Sequence, residues 1–193
     1  MLTLGILGSG SGSNMQAILD AITAGSLHAK IGIVLSDNPD AFILKRAANH
    51  GIPHGVIDCA GHRSKFPDFV QAQTAETLKQ AGVDLVCLAG FMRLVKAPLL
   101  DAFPSKILNI HPSLLPAFPG VAAWAQAVAA KAGETGVTVH VVDSGMDTGP
   151  VILQEKLDIL PDETADALHQ RLQVIEHRIY PMAITQHCNS LNL

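Results

Sequence analysis

Charge is scarce in this chain. Only 16% of its 193 residues are charged, and 13 Lys+Arg against 17 Asp+Glu leave a formal net charge of −4. With a sequence pI of about 6.1 there is no basic stripe to neutralise a phosphate backbone, so DNA and RNA are not expected partners. Cysteine is also sparse: Cys59, Cys87 and Cys188 stand far apart, without the paired spacing of zinc or redox sites. No basic segment precedes an apolar run, and no stretch of about 18 apolar residues could span a bilayer, so a reduced cytoplasmic compartment and no membrane are expected. HExxH, CxxC and EF-hand patterns are missing, so no metal is expected. Without a GxSxG elbow or an evident base beside any cysteine, a covalent acyl-enzyme is not expected either.

What is plentiful is apolar residues, 48%, and glycine, 16 in all, a composition that suits a sheet covered on both faces. The length predicts one domain burying about 70% of its unfolded surface. Strand-like runs at 2–8, 30–36, 53–58, 83–90 and 107–111 alternate with helical patterns, and Gly51 closes the second helix. That order predicts an α/β fold, a doubly wound and mostly parallel sheet. After Gly120 the pattern changes: a helix near 124–132, strands at 136–143 and 151–159 joined as an antiparallel hairpin, then a long C-terminal helix over 164–186. Pro181 is expected to kink or interrupt that helix. The expected organisation is a single domain, 1–193, with a phosphate-binding half (1–105) and a half for transfer chemistry and the second ligand (106–193).

Three stretches point to chemistry. "GSGSGSN" (8–14) joins the first strand to the first helix, at the sheet edge where doubly wound folds bind ligands. Its glycines admit close backbone approach, and free N–H groups at the helix start favour an anion. No GK[ST] follows and the third glycine of a dinucleotide site is missing, so a small phosphate ester fits better. The plain alternative is a loop that caps a helix through Ser13 or Asn14. "KILNIHPSLLPAFPG" (106–120) places Asn109 and His111 at i and i+2, projecting to one side of a strand tip. An amide donor beside an imidazole can steady an acyl-transfer oxyanion and move its proton. A lone apolar-flanked histidine is more often structural, and the amide partner tips that balance toward function. Asp147, in "SGMDTGP", would favour the charged form of His111 if the two meet; alone it reads as a turn former. His140 either joins that cluster or is a half-buried strand histidine.

Together "GSGSN", "LAGFMRLV" (88–95), "ILNIHPSLLPAFPG" (107–120), "VTVHVVDSGMDTGPVILQ" (137–154) and "QVIEHRIYP" (173–181) resemble the phosphoribosylglycinamide formyltransferases. The resemblance spans nearly the whole chain. It implies transfer of a formyl group from the co-substrate 10-formyltetrahydrofolate to the amine of 5′-phosphoribosylglycinamide, in purine biosynthesis. It implies Asn109, His111 and Asp147 as the catalytic trio, and Gly12, Ser13, Asn14, Gln173 and Glu176 as ribonucleotide-binding residues. The folate is implied at Arg63, Met92, Arg93, Leu94, Val95, Asn109 and the loop Asp143, Ser144, Gly145, Met146 and Asp147. The partners implied are small molecules, with a monomer or a homodimer as the assembly.

Two departures stand out: "VAAWAQAVAAKAGETG" (121–136) lacks histidines that some relatives carry, and Thr135 stands where a histidine is frequent. Among related enzymes, methionyl-tRNA formyltransferase carries an RNA-binding C-terminal domain and formyltetrahydrofolate deformylase an N-terminal regulatory one, neither of which is expected here. The deformylase reaction remains an alternative, as does a non-catalytic folate- or nucleotide-binding module. A dehydrogenase is disfavoured, because Asp37 comes near the ribose-binding position but sits in "SDNPD".

Overall fold

A computed structural model describes residues 1–59, 61–62 and 65–193. The elements run β1 (Leu2–Leu7), α1 (Ser13–Thr23), β2 (Ala29–Ser36), α2 (Phe42–Asn49), β3 (His54–Val56), α3 (Asp68–Gln80), β4 (Leu85–Leu88), α4 (Ala97–Ala102), β5 (Ile107–His111), α5 (Ala123–Ala129), β6 (Glu134–Val141), β7 (Val151–Asp158) and α6 (Ala165–Leu191). They build a seven-stranded sheet in the order β3-β2-β1-β4-β5-β6-β7. β1 to β5 pair in parallel, whereas β6 and β7 run antiparallel at the far edge. The α/β class, the C-terminal hairpin and the long last helix are as the pattern predicted.

Period-two alternation decides which side chains reach which layer. Leu4 and Ile6 of β1, Leu85 and Cys87 of β4, and Leu108 and Ile110 of β5 join Met15 and Ile18 of α1 and Ile179 and Ile184 of α6 in one core. Leu7, Val86, Leu88 and Ile107 face the opposite way, onto Val70 and Leu78 of α3 and Leu99 of α4. Every residue of β4 is buried, as a central strand covered on both faces requires.

Helix α6 departs from expectation. It passes through Pro181 without interruption and ends at Leu191, five residues beyond the expected 186. A proline inside a helix costs about 3 kcal/mol. Here Ile179, Tyr180, Pro181, Ala183, Ile184, His187 and Cys188 are all buried, so apolar contact on both sides of the ring offsets the missing N–H. Strand β6 likewise starts two residues earlier than expected, at Glu134, because β7 supplies partners as far as Asp158. It ends at Val141, and Asp143 belongs to the turn, where its carboxylate accepts from the Gly145 N–H and the Thr148 hydroxyl.

Tyr180 ties the last helix to the centre of the sheet. Its hydroxyl donates to the Leu88 carbonyl at 2.8 Å and the Leu108 carbonyl at 3.2 Å, joining α6 to β4 and β5. Burial, with Cys87 beside it, pushes the phenol well above its ordinary value, so it remains a donor. Tyr180→Phe should leave both carbonyls short of a partner and cost about 1–2 kcal/mol, lowering the thermal midpoint by about 2–8 °C in calorimetry. An unchanged midpoint would refute this account of the helix anchor.

Candidate functional site

The chain leaves β1 toward α1 on one face of the sheet and leaves β4 toward α4 on the other. Because β1 and β4 are neighbours, the two exits part and open a crevice at their carboxyl ends. A cavity of about 370 Å³ lies there, bordered by residues from both exits, from β5 and from α6.

The glycine loop forms one end. Gly12 has φ 72°, and a Cβ on it would lie 2.8 Å from the Ile43 Cα, so no other residue fits. Helix α1 starts from it with no capping side chain and no acidic residue in its first turn, leaving the N–H groups and the positive dipole end available at the cavity. Ser13 and Asn14 cap nothing, contrary to the capping alternative. The Asn14 amide instead donates to Glu176 Oε2 at 2.8 Å, across the gap to α6. Glu176 is only 6% exposed, and burial pushes its carboxyl up while the Asn14 bond opposes that rise. The Asn14 side-chain oxygen Oδ1 is buried and has no partner among the described residues. Gln173 borders the same end. Arg46, which sequence reasoning passed over, donates through Nε to the Ser11 carbonyl at 2.8 Å and stands at the outer rim of the loop.

The second wall is the segment after β4. Met92, Leu94 and Val95 present apolar surface to the cavity. Arg93 borders it too, but its guanidinium pairs with Asp37 and donates to the His62 and Lys65 carbonyls, so it brings no free charge. Asp37 also accepts from the Ser9 hydroxyl, whose oxygen accepts from the Met92 N–H at 2.9 Å. The acid that might have held a ribose is thereby occupied in joining the two walls.

Between them stands a polar cluster. His111 is 5% exposed at the tip of β5, with Nδ1 3.4 Å from Asp147 Oδ2 and Nε2 2.9 Å from the Phe118 carbonyl. Both ring nitrogens thus face acceptors. Asn109 donates to Asp147 Oδ1 at 3.3 Å and lies 3.2 Å from His140 Nε2, and the Gly120 N–H donates to Asp147 Oδ2 at 2.8 Å. Burial pushes the Asp147 carboxyl up, but His140, the Gly120 amide and His111 outweigh it and hold it below the ordinary range.

The structure therefore gathers Gly12, Ser13, Asn14, Met92, Arg93, Leu94, Val95, Asn109, His111, Gly145, Met146, Asp147, Gln173 and Glu176 around one cavity. Asp143 and Ser144 do not border it, since Asp143 braces the turn from behind. Arg63 lies outside the described residues. Besides Arg46, sequence reasoning passed over Gly120, Trp124 and His169; the notable placement of a lone tryptophan was the available signal for one of them. Among the described residues no group of three His, Cys, Asp or Glu is arranged to hold a metal ion, and no helix is long and apolar enough to cross a membrane.

Residues 3–184 match the formyl transferase family. Phosphoribosylglycinamide formyltransferase of Bacillus subtilis is 40% identical over 186 residues, covering 96% of this chain and 94% of that one. The trifunctional purine biosynthetic protein adenosine-3 of Drosophila melanogaster is 43% identical over 190 residues, 97% of this chain but only 14% of that protein. Glycinamide ribonucleotide transformylase 1 of Symbiobacterium toebii superposes with a TM-score of 0.91 at 48% identity, over 95% of this chain and 86% of that one.

The buried Glu176 makes a pH prediction. Its carboxyl is raised above the ordinary 4.5 in the folded state, so its favourable contribution is complete below that pH and is lost as pH rises through the folded value. Glu176→Gln imitates the protonated form at every pH. Urea denaturation should find the variant more stable than wild type at pH 7, with the gap closing below 4.5. A gap that is flat with pH would contradict the assignment.

Proposed function

The chain belongs to the formyl transferase family, and on that premise we propose that it transfers the formyl group of 10-formyltetrahydrofolate to the amine of 5′-phosphoribosylglycinamide in purine biosynthesis. The observation that carries this reading is the contact of His111 Nδ1 with Asp147 at 3.4 Å, beside Asn109 and between the glycine loop and an apolar wall. In this scheme the phosphate of the ribonucleotide rests on Gly12, Ser13 and Asn14, and Gln173 and Glu176 hold its glycinamide part. The pterin lies along Met92 to Val95, under Gly145 and Met146. Small substrates and a cytoplasmic setting accompany the reading.

The amine attacks the formyl carbon, a new C–N bond forms, and the bond to N10 breaks as the tetrahedral intermediate collapses and the C=O bond re-forms. The developing oxyanion needs donors. Asn109 supplies an amide N–H. In this scheme protonated His111, its Nδ1 3.4 Å from Asp147, offers positive charge and a proton that can travel to N10 as the amine loses its own. Asp147 holds that charged form. Proximity of two bound substrates supplies much of the remaining rate.

Incubating the pure protein with both substrates and following folate absorbance tests the reading. Steady formate release without formylglycinamide ribonucleotide would make the protein a deformylase instead, and tight ligand binding in calorimetry without either product would make it a binding module. Asp147→Asn should preserve substrate binding and lower turnover by about 10²-fold or more, as for a lost acid–base partner. His111→Ala should be similarly damaging, and the double variant little worse than either single one, because the pair acts as a unit. Losses that multiply in full would show that Asp147 and His111 act separately. Gln173→Ala should chiefly weaken ribonucleotide binding.

A further inference from the structure

One wall of the cavity is finished by two rings. Trp124, the chain's single tryptophan, lies face to face on His169, with ring centroids 3.8 Å apart and planes 1° from parallel. Both border the cavity. The stack joins the first turn of α5 to α6, and His169 Nε2 lies 3.5 Å from the Gln173 amide nitrogen. Burial lowers the His169 ring below its ordinary value, with Asp166 working against it, so the neutral ring stacks as an aromatic and its Nε2 can accept from Gln173.

The segment just before Trp124 makes two of the contacts that hold the polar cluster. The Phe118 carbonyl faces His111 Nε2, and the Gly120 N–H donates to Asp147. Its backbone is left-handed at Phe118, Gly120 and Ala122, with φ of 53°, 82° and 54°, and α5 begins from it without a capping side chain. Such conformations persist only where surrounding contacts determine them. The Gln126 amide, donating to the Pro119 and Val121 carbonyls, is one determinant. The ring stack is another, and it reaches α6.

We propose, resting on the transferase reading above, that the Trp124–His169 stack is a positioning element: it fastens the 118–122 segment to α6 and thereby holds Gln173 and the His111–Asp147 pair in one register. The two rings touch neither reacting atom in this scheme. They set where the transfer geometry falls relative to the bound ribonucleotide.

The test compares Trp124→Ala, His169→Ala, their double variant and His169→Phe in the intact chain. Each alanine variant should lower kcat about tenfold or more while leaving the calorimetric Kd for folate within about twofold, because misplacement of the reacting groups acts on turnover before it acts on binding. The double variant should be little worse than either single one. His169→Phe, which keeps a flat ring, should recover most of kcat. Emission from the single tryptophan reports the stack directly: it should change in His169→Ala more than in His169→Phe. If Trp124→Ala does not fold, the two His169 variants decide alone. Wild-type kcat in both alanine variants, fully multiplying losses, or no recovery in His169→Phe would each overturn the positioning role. Wild-type protein without any transfer activity would instead remove the transferase reading and the role with it.

Discussion

Asp147 is a half-buried carboxylate with only acceptor atoms, and the site is arranged around satisfying it. Gly120 N–H, Asn109, His111 and His140 reach it from the proline-rich loop, from β5 and from β6. Without those donors, burial would drive the carboxyl toward its neutral form, and the imidazole beside it would lose its counter-charge. The glycines around it explain how the carboxylate is aimed. Asp147 itself has φ 55°, which a short polar side chain tolerates. A Cβ on Gly149 would sit 1.8 Å from the Val141 carbonyl, and one on Gly145 would sit 2.0 Å from the Thr148 hydroxyl. The turn closes tightly enough to carry Asp147 back over β5 only because those positions lack side chains.

Much of this was legible in the residues, and what was not has physical causes. The alternation of apolar runs gave the sheet, and the chain order put the glycine loop and the Asn109–His111 tip at the same edge, since both follow from periodicity and topology. The meeting of Asp147 with His111 rests on the left-handed backbone of Asp147 and on the close approaches at Gly145 and Gly149, which tertiary contacts impose rather than local pattern. Arg93 was legible as a residue of the site, but not the direction of its guanidinium, because Asp37 lies 56 positions away. The passage of α6 through Pro181 depends on buried contacts at both ends of the helix, whereas the local rule sees only the missing donor. Trp124 among alanines reads as ordinary helix packing until His169 is found beneath it.

The two ends of the cavity differ in how they meet charge. Among the described residues the cation of the apolar wall, Arg93, is neutralised by Asp37, so a flat uncharged ring system meets no stranded charge from it. The glycine loop meets an anion with backbone N–H groups and a helix dipole, whose influence fades within about one turn. Arg46 stands only at its rim, already bonded to the Ser11 carbonyl. In a chain of net charge −4, attraction confined to one helical turn favours an anion whose shape fits that turn over anions in general.

Helix α6 makes these parts one site. His169, Gln173, Glu176 and Tyr180 follow at intervals of four, three and four residues, so they lie along one face of the helix. Tyr180 fixes that face against the Leu88 and Leu108 carbonyls, in the two strands that carry the apolar wall and the Asn109–His111 tip. A slip of one residue would turn the face by about 100°, taking Glu176 from Asn14 and His169 from Trp124 together. The turns beyond Pro181 guard against that slip: Ala183, Ile184 and Cys188 are buried against the core, and His187 Nε2 meets the Ser105 carbonyl. A helix that stopped at the proline would keep its cavity residues and the Tyr180 anchor, and lose the contacts that reinforce their register.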